Sequence, residues 1–298
     1  MHTGPRRLAY NGYGGIALVG DVWGDLHAPP VLLLHGGGQT RHAWADTAAA
    51  LAKEGWCAVA LDQRGHGESD WAEDEDYTLD AFAADVMAVA AALPEPPVLV
   101  GASLGGMAGL LAHGEMRHKL AALVLVDITP RMELDGVQRI ASFMIAHLKG
   151  FATVEEAADA IARYLPHRPR PTDLGGLEKN LRRRPDGRYY WHWDPNFLLG
   201  PRSVASSRRP ERLSEAARNI VAPTLLVRGK QSDMVSEAGA AEFLEAVPHA
   251  CYVDVSNATH MVVGDRNDVF SAAVLDFLRD FHAASDRDRK AQRPQREQ

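Results

Sequence analysis

Six short apolar runs punctuate the chain: "VLLLHG" (31–36), "CAVALD" (57–62), "PVLVGAS" (97–103), "ALVLVDI" (122–128), "PTLLVRG" (223–229) and "ACYVDVSNA" (250–258). The first five do not alternate apolar with polar residues, so each reads as a strand buried on both faces. Helical patterns stand between most of them: "HAWADTAAALAKEG" (42–55), "TLDAFAADVMAVAAAL" (78–93) opened by a capping threonine, "SEAGAAEFLEAVP" (236–248) and "NDVFSAAVLDFLRDFHAA" (267–284). Continuous apolar strands separated by helices predict an α/β fold with a mostly parallel central sheet flanked by helices. Upstream, "RRLAYNGYGGIALVGDVWG" reads as a hairpin forming an antiparallel edge.

After Pro130 the pattern changes. Residues 131–217 are rich in arginine, proline and aromatics, with short helical segments and no convincing strand. The expected organisation is a core domain of residues 1–130 and 218–284, with a helical cap of 131–217 inserted after the sixth strand. The polar stretch 285–298 is expected to be disordered.

With 46% hydrophobic residues, 24% charged residues and a net charge of −7, the composition is that of a globular protein with no basic stripe for nucleic acid. No run approaches a membrane span or a signal peptide. Two cysteines, Cys57 and Cys251, are expected to be small core residues, which favours a reducing cytoplasm over a disulfide framework. Partnership with nucleic acid or membrane is therefore not expected, and a monomer or homodimer is.

The run at 97–103 ends in Gly101-Ala102-Ser103-Leu104-Gly105-Gly106. Gly-x-Ser-x-Gly between a strand and a helix is the pattern of a nucleophile elbow. A serine at so sharp a corner needs small neighbours, and the corner lifts its hydroxyl to the N-terminus of the helix, where free N–H groups can meet an oxyanion. Serine attacks only when a base takes its proton. A later histidine, oriented by an acid, should supply that base. Asp233 follows the strand at 223–229 and His260 follows the one at 250–258, both at the carboxyl edge of the sheet. Asp127, which also ends a strand, is the competing acid. The loop His35-Gly36-Gly37-Gly38-Gln39 lets the main chain approach a substrate closely, so Gly37 is expected to join Leu104 as an oxyanion donor, with Gly38 as the alternative. The same loop lacks the lysine and hydroxyl of a phosphate-binding loop.

Together "LLLHGGGQT", "ALDQRGHGESD", "LVGASLGGMAG", "LLVRGKQSD" and "NATHMV" resemble the α/β-hydrolase superfamily over residues 20–284. They look most like its cap-bearing branch of bacterial esterases, cofactor-free haloperoxidases and epoxide-hydrolase-like proteins. The resemblance implies Ser103 as nucleophile, Asp233 as acid, His260 as base, and Gly37 with Leu104 as the oxyanion hole. It implies a structural, buttressing role for "DQRGHGESD", including Arg64 and His66. Epoxide hydrolases and dehalogenases of this fold carry an aspartate nucleophile, so Ser103 argues for acyl transfer.

A cap at 131–217 would lie over Ser103. Its Phe143, Met144, Tyr190, Trp191 and Trp193, together with His35, Gly38 and Met261 of the core, are expected to line a substrate pocket, with Tyr189 as a further aromatic candidate. The arginines at 168–170 and 182–184 read as a solvated face, or as an attraction for a carboxylate. The resulting expectation is a serine hydrolase of carboxylic esters, lactones or thioesters, needing no cofactor or metal and acting on a small acyl substrate. Alternatives are perhydrolysis or carbon–carbon bond cleavage with the same triad, or a ligand-binding protein on the same scaffold.

Overall fold

The computed structural model describes residues 4–166, 170, 174–256, 258 and 267–291. Its strands are β1 (Arg6–Asn11), β2 (Ala17–Trp23), β3 (Pro30–Leu34), β4 (Cys57–Leu61), β5 (Val98–Ala102), β6 (Ala122–Val126), β7 (Leu181–Arg183), β8 (Tyr189–Trp191), β9 (Thr224–Gly229) and β10 (Cys251–Val255). Its helices are α1 (Ala45–Lys53), α2 (Leu79–Ala91), α3 (Leu104–Gly114), α4 (Leu134–Ala146), α5 (Val154–Tyr164), α6 (Gly175–Glu178), α7 (Asn196–Leu199), α8 (Val204–Ser207), α9 (Pro210–Arg218), α10 (Glu237–Ala246) and α11 (Asn267–Ala291).

Eight strands form one sheet in the order β1-β2-β4-β3-β5-β6-β9-β10. The β1–β2 and β2–β4 pairs are antiparallel and all others parallel, matching the expected edge hairpin and parallel centre. Successive residues of each strand point to opposite faces, and both faces are covered. Leu32, Leu34, Leu99 and Leu123 pack with residues of α2, α3, α9 and α10. Val31, Leu33, Val98 and Val100 pack on the other face, with α1 and with Phe270, Val274 and Leu278 of α11. Burial on two sides explains why these strands read as unbroken apolar runs. Thr78 caps α2 as expected, its hydroxyl accepting from the Ala81 N–H at 3.3 Å.

Between β6 and β9 the chain builds a small core of its own around Phe151, Val154, Ala157, Ala160 and Leu181. Three features differ from expectation. The segment contains a strand pair, β7 with β8, paired antiparallel from Leu181–Trp191 to Arg183–Tyr189; three-residue strands leave too short an alternation to register in a sequence. Cys251 is exposed, because β10 is the edge strand, whereas Cys57 is buried as expected. The closing helix continues to Ala291, into the stretch expected to lack structure. At the end of the inserted segment, α9 lies directly on α3: a Cβ on Gly114 would stand 2.0 Å from the Ala216 carbonyl oxygen. Arg212 of α9 also binds Asp80 and Glu115 of the core. Among the described residues no helix is long and apolar enough to cross a membrane.

Candidate active site

Ser103 joins β5 to α3 with φ 45° and ψ −108°, a conformation that L-residues rarely adopt. The glycines around it are required by crowding. A Cβ on Gly101 would lie 2.5 Å from the Gly105 carbonyl, one on Gly105 2.6 Å from the Leu34 carbonyl oxygen, and one on Gly106 2.5 Å from Ile128 Cγ2. The Ser103 N–H donates to the Val126 carbonyl at 3.2 Å, which fixes the corner against β6.

The loop after β3 lies beside this corner: a Cβ built on Gly36 would stand 3.5 Å from Ser103 Cβ. Gln39 Oε1 accepts the Gly36 N–H at 2.9 Å, and His66 Nε2 accepts the Gly38 N–H at 3.1 Å. The N–H groups of Gly37 and of Leu104, the first residue of α3, have no partner among the described residues. Gly37 and Leu104 thus each leave a main-chain donor available beside Ser103. Gly38 does not, since its N–H is already spent.

Asp127 follows β6 and Asp233 follows β9, and their surroundings differ. Asp127 is buried, at φ 49°; its Oδ1 accepts the Gly229 N–H at 3.0 Å and its Oδ2 the Ser232 hydroxyl at 2.5 Å. The same Ser232 oxygen accepts the Met234 and Val235 N–H groups, so one hydroxyl closes the turn after β9 and steers Asp127. Asp233 is partly exposed and forms an ion pair with Arg139 of α4. His260 and Met261 lie outside the described residues. Before them, Gln231 N–H binds the Ala258 carbonyl at 2.9 Å, which ties the chain leaving β10 to the Ser232 turn.

The loop after β4 is structural throughout. Arg41 donates to Asp62 from its main chain at 2.7 Å and from its guanidinium, and Arg64 grips both carboxylate oxygens of Asp85, at 2.6 and 2.8 Å. His66 donates from Nδ1 to the Arg64 carbonyl at 2.9 Å. Three imidazoles lie in a row here, with centroid distances of 5.2 Å for His35–His66 and 5.8 Å for His66–His192. Burial pushes His35 down to about 4 and His66 down to about 3, and lowers His192 as well, so all three are neutral near pH 7.

Of the expected pocket residues, Met144 and Trp193 reach the site: Met144 Cε would stand 2.8 Å and Trp193 Nε1 3.8 Å from a Cβ on Gly38. Phe197, which periodicity did not single out, stands over Gly37, its Cζ 3.0 Å from the corresponding position. His35 sits beneath the loop, bonded to the Gly36 carbonyl and the Gln63 N–H, and holds the loop from below. Phe143 stacks on Tyr164 at 4.2 Å, and Trp191 lies edge-on to Phe151 at 5.1 Å, both within the inserted segment. Tyr190 is turned elsewhere, its hydroxyl on Asp186 and its ring under Arg184 at 4.1 Å. The arginines of 182–184 each stack on an aromatic ring, Trp71, Tyr189 and Tyr190 in turn, and Arg170 pairs with Asp159.

Residues 29–266 match the family model described as the alpha/beta hydrolase fold. Esterase Rv0045c of Mycobacterium tuberculosis is 30% identical over 251 residues, covering 82% of this chain and 80% of the relative. A crystal structure of that esterase superposes with a TM-score of 0.73 at 28% identity, covering 92% of each chain. The structure of E-2-(acetamidomethylene)succinate hydrolase superposes with a TM-score of 0.81 at 24% identity, covering 92% of this chain and 99% of the other, a likeness of fold. A family match across most of the length, on this strand order and around this corner, places the chain in the α/β-hydrolase family, as a hydrolase.

Proposed function

We propose that the protein is a serine hydrolase of small to medium carboxylic esters, including lactones or thioesters, working through an acyl-enzyme on Ser103. The observation that carries this reading is the placement of Ser103 at a strained, glycine-lined corner beside main-chain donors of Gly37 and Leu104 that have no partner among the described residues. Attack by the Ser103 oxygen on the ester carbonyl turns the carbonyl oxygen into an oxyanion, which those N–H groups stabilise. His260 takes the hydroxyl proton and returns it to the leaving alcohol. Water, activated by the same imidazole, then releases the acid and regenerates the serine.

For the acid, geometry favours Asp127 over Asp233. Asp127 is buried, held at both oxygens and next to Ser103, and a carboxylate accepting two bonds retains lone pairs for an imidazole N–H. Asp233 is engaged with Arg139. The esterase relative supports ester chemistry, and Met144, Trp193 and Phe197 around Gly37 and Gly38 favour an apolar group next to the carbonyl.

The test is labelling with a fluorophosphonate probe, followed by kinetics on p-nitrophenyl esters of increasing chain length. The wild-type protein should be labelled and active, and folded Ser103→Ala should be neither. Retention of most of the activity by Ser103→Ala would refute the assignment.

A further inference from the structure

We propose that His192, carried by the inserted segment, is a positioning residue for the oxyanion loop, so that seating of that segment and assembly of the oxyanion hole are one event. The inference rests on the reading of Ser103 as nucleophile and Gly37 as donor. It goes beyond that reading by assigning the loop's geometry to a side chain from a different part of the fold.

The loop holds itself only at its start, where Gln39 closes on Gly36, its Oε1 accepting the Gly36 N–H at 2.9 Å and its N–H donating to the Gly36 carbonyl at 3.1 Å. Gly36, Gly37 and Gly38 have no side chains to pack, and Gly38 stands at φ 78°. Its shape depends on hydrogen bonds to its main chain. From below, His66 Nε2 accepts the Gly38 N–H at 3.1 Å; from the inserted segment, His192 Nε2 donates to the Gly38 carbonyl at 3.1 Å. Both main-chain polar groups of Gly38 are thus held by imidazoles, one residue from the proposed donor.

The tautomers are fixed by the partners. A carbonyl only accepts, so His192 carries its proton on Nε2, and Nδ1 is the lone pair that receives the Gly67 N–H at 2.7 Å. His66 has the opposite arrangement, donating from Nδ1 to Arg64 and accepting at Nε2. Each buried ring uses its single proton and its single lone pair, and burial keeps both rings neutral. The segment bearing His192 is joined to the loop after β4 by the Asp194 N–H on the Gly65 carbonyl at 2.9 Å and by Arg182 on the Gly67 carbonyl. His192 is the member of this seam that reaches the oxyanion loop.

Two conservative variants separate the ring's two bonds. A glutamine amide reaches the position of Nε2 and can still donate to Gly38; an asparagine oxygen reaches that of Nδ1 and can accept only from Gly67. We expect His192→Ala and His192→Asn to lower kcat on a p-nitrophenyl ester about 100-fold, the scale of losing one oxyanion donor. KM should stay within about threefold, and His192→Gln should recover to within about tenfold of wild type. Amide hydrogen exchange across residues 36–39 should quicken at least about tenfold in the Ala and Asn variants, and not in Gln.

Unchanged exchange in His192→Asn, or an Asn variant as active as Gln, overturns the proposal. Should the Ala variant fail to fold, the comparison of Asn with Gln decides. Exchange reads the clamp without reference to turnover. If Ser103→Ala retains activity, the nucleophile assignment fails while the clamp is still tested.

Discussion

Ser103 and Asp127 stand side by side at the ends of adjacent parallel strands, each one residue past the registered pair Ala102–Val126 and each in the left-handed region, at φ 45° and 49°. The other two non-glycine residues at positive φ among the described residues, Glu75 and Arg117, lie away from any strand end. Such conformations cost on the order of 1–3 kcal/mol each and persist where the surrounding structure enforces them. Here the proposed nucleophile and a buried carboxylate share that constraint, which bears on which acid would serve the proposed base. Asp127→Asn should lower kcat by about 10³- to 10⁴-fold, because the amide cannot hold the imidazole in its useful tautomer. Asp233→Asn removes a partly exposed ion pair with Arg139, of a kind usually worth under about 1 kcal/mol, and should leave kcat within about threefold. Steady-state kinetics of the two variants side by side decide between them. The opposite ranking would return the role to Asp233.

The parallel sheet, its antiparallel edge and the Ser103 corner were legible in the sequence because they depend on local pattern: apolar runs buried on both faces, and small residues where backbones meet. What distinguishes the two candidate acids was not: Asp127 and Asp233 both follow strands, and the Ser232 hydroxyl and the Arg139 guanidinium that separate them are contacts made across the fold. The contacts made by the residues between β6 and β9 were not legible either. Trp193 reaches the loop after β3 while Tyr190 turns to Asp186, and both flank or lie in the β7–β8 pair, whose strands are too short for periodicity to reveal. His192, flanked by two tryptophans, carried no signal that distinguished it from another packed aromatic ring.

The crowding at the elbow makes a sharp contrast between glycines. Gly101→Ala would put a methyl group 2.5 Å from main-chain atoms of Gly105 and Gly106, which cannot rotate away. Its cost should be at or above the ~1–3 kcal/mol of ordinary overpacking, with loss of probe labelling at Ser103. Gly176→Ala, within α6 and with nothing inside 4 Å of the new Cβ, should raise stability by a few tenths of a kcal/mol, up to about 1. Urea denaturation of both variants tests the pair. Equal midpoints would mean that the corner accommodates the methyl group.

The neutral imidazoles predict an acid-sensitive fold. For a histidine whose folded pKa is depressed, the unfolded chain binds the proton first, so stability rises with pH across the interval between the two pKa values. With His35 at about 4 and His66 at about 3 against an ordinary 6.5, their contribution is complete above pH 6.5 and drains away as pH falls toward 4 and 3. Each should add up to about 1.4 kcal/mol of stability per pH unit inside that window. Ordinary carboxylates titrate near 4, so urea midpoints at pH 7.5, 6 and 5 sample the part of the window in which histidines dominate. A midpoint that does not move between pH 6 and 5 would mean that these rings are charged or solvated.

Phe197 should set the size of the group next to the ester carbonyl. Its ring edge stands over Gly37, the proposed oxyanion donor, with Met144 and Trp193 over Gly38. It is wedged edge-on to His66 at 4.8 Å and to Phe82 at 6.1 Å, so it cannot swing aside without disturbing the imidazole that holds Gly38. A rigid ring at this place sets a fixed wall, and a pocket discriminates by about 1–3 kcal/mol for each methylene it admits or refuses. Phe197→Leu, which retains an apolar contact but shortens the reach, should therefore move the preferred p-nitrophenyl ester to a longer or branched acyl chain. The ratio of kcat/KM values for long over short chains should rise about tenfold. A fall in activity equal for all chain lengths would instead mean that Phe197 acts only through His66, with the acyl group lying elsewhere.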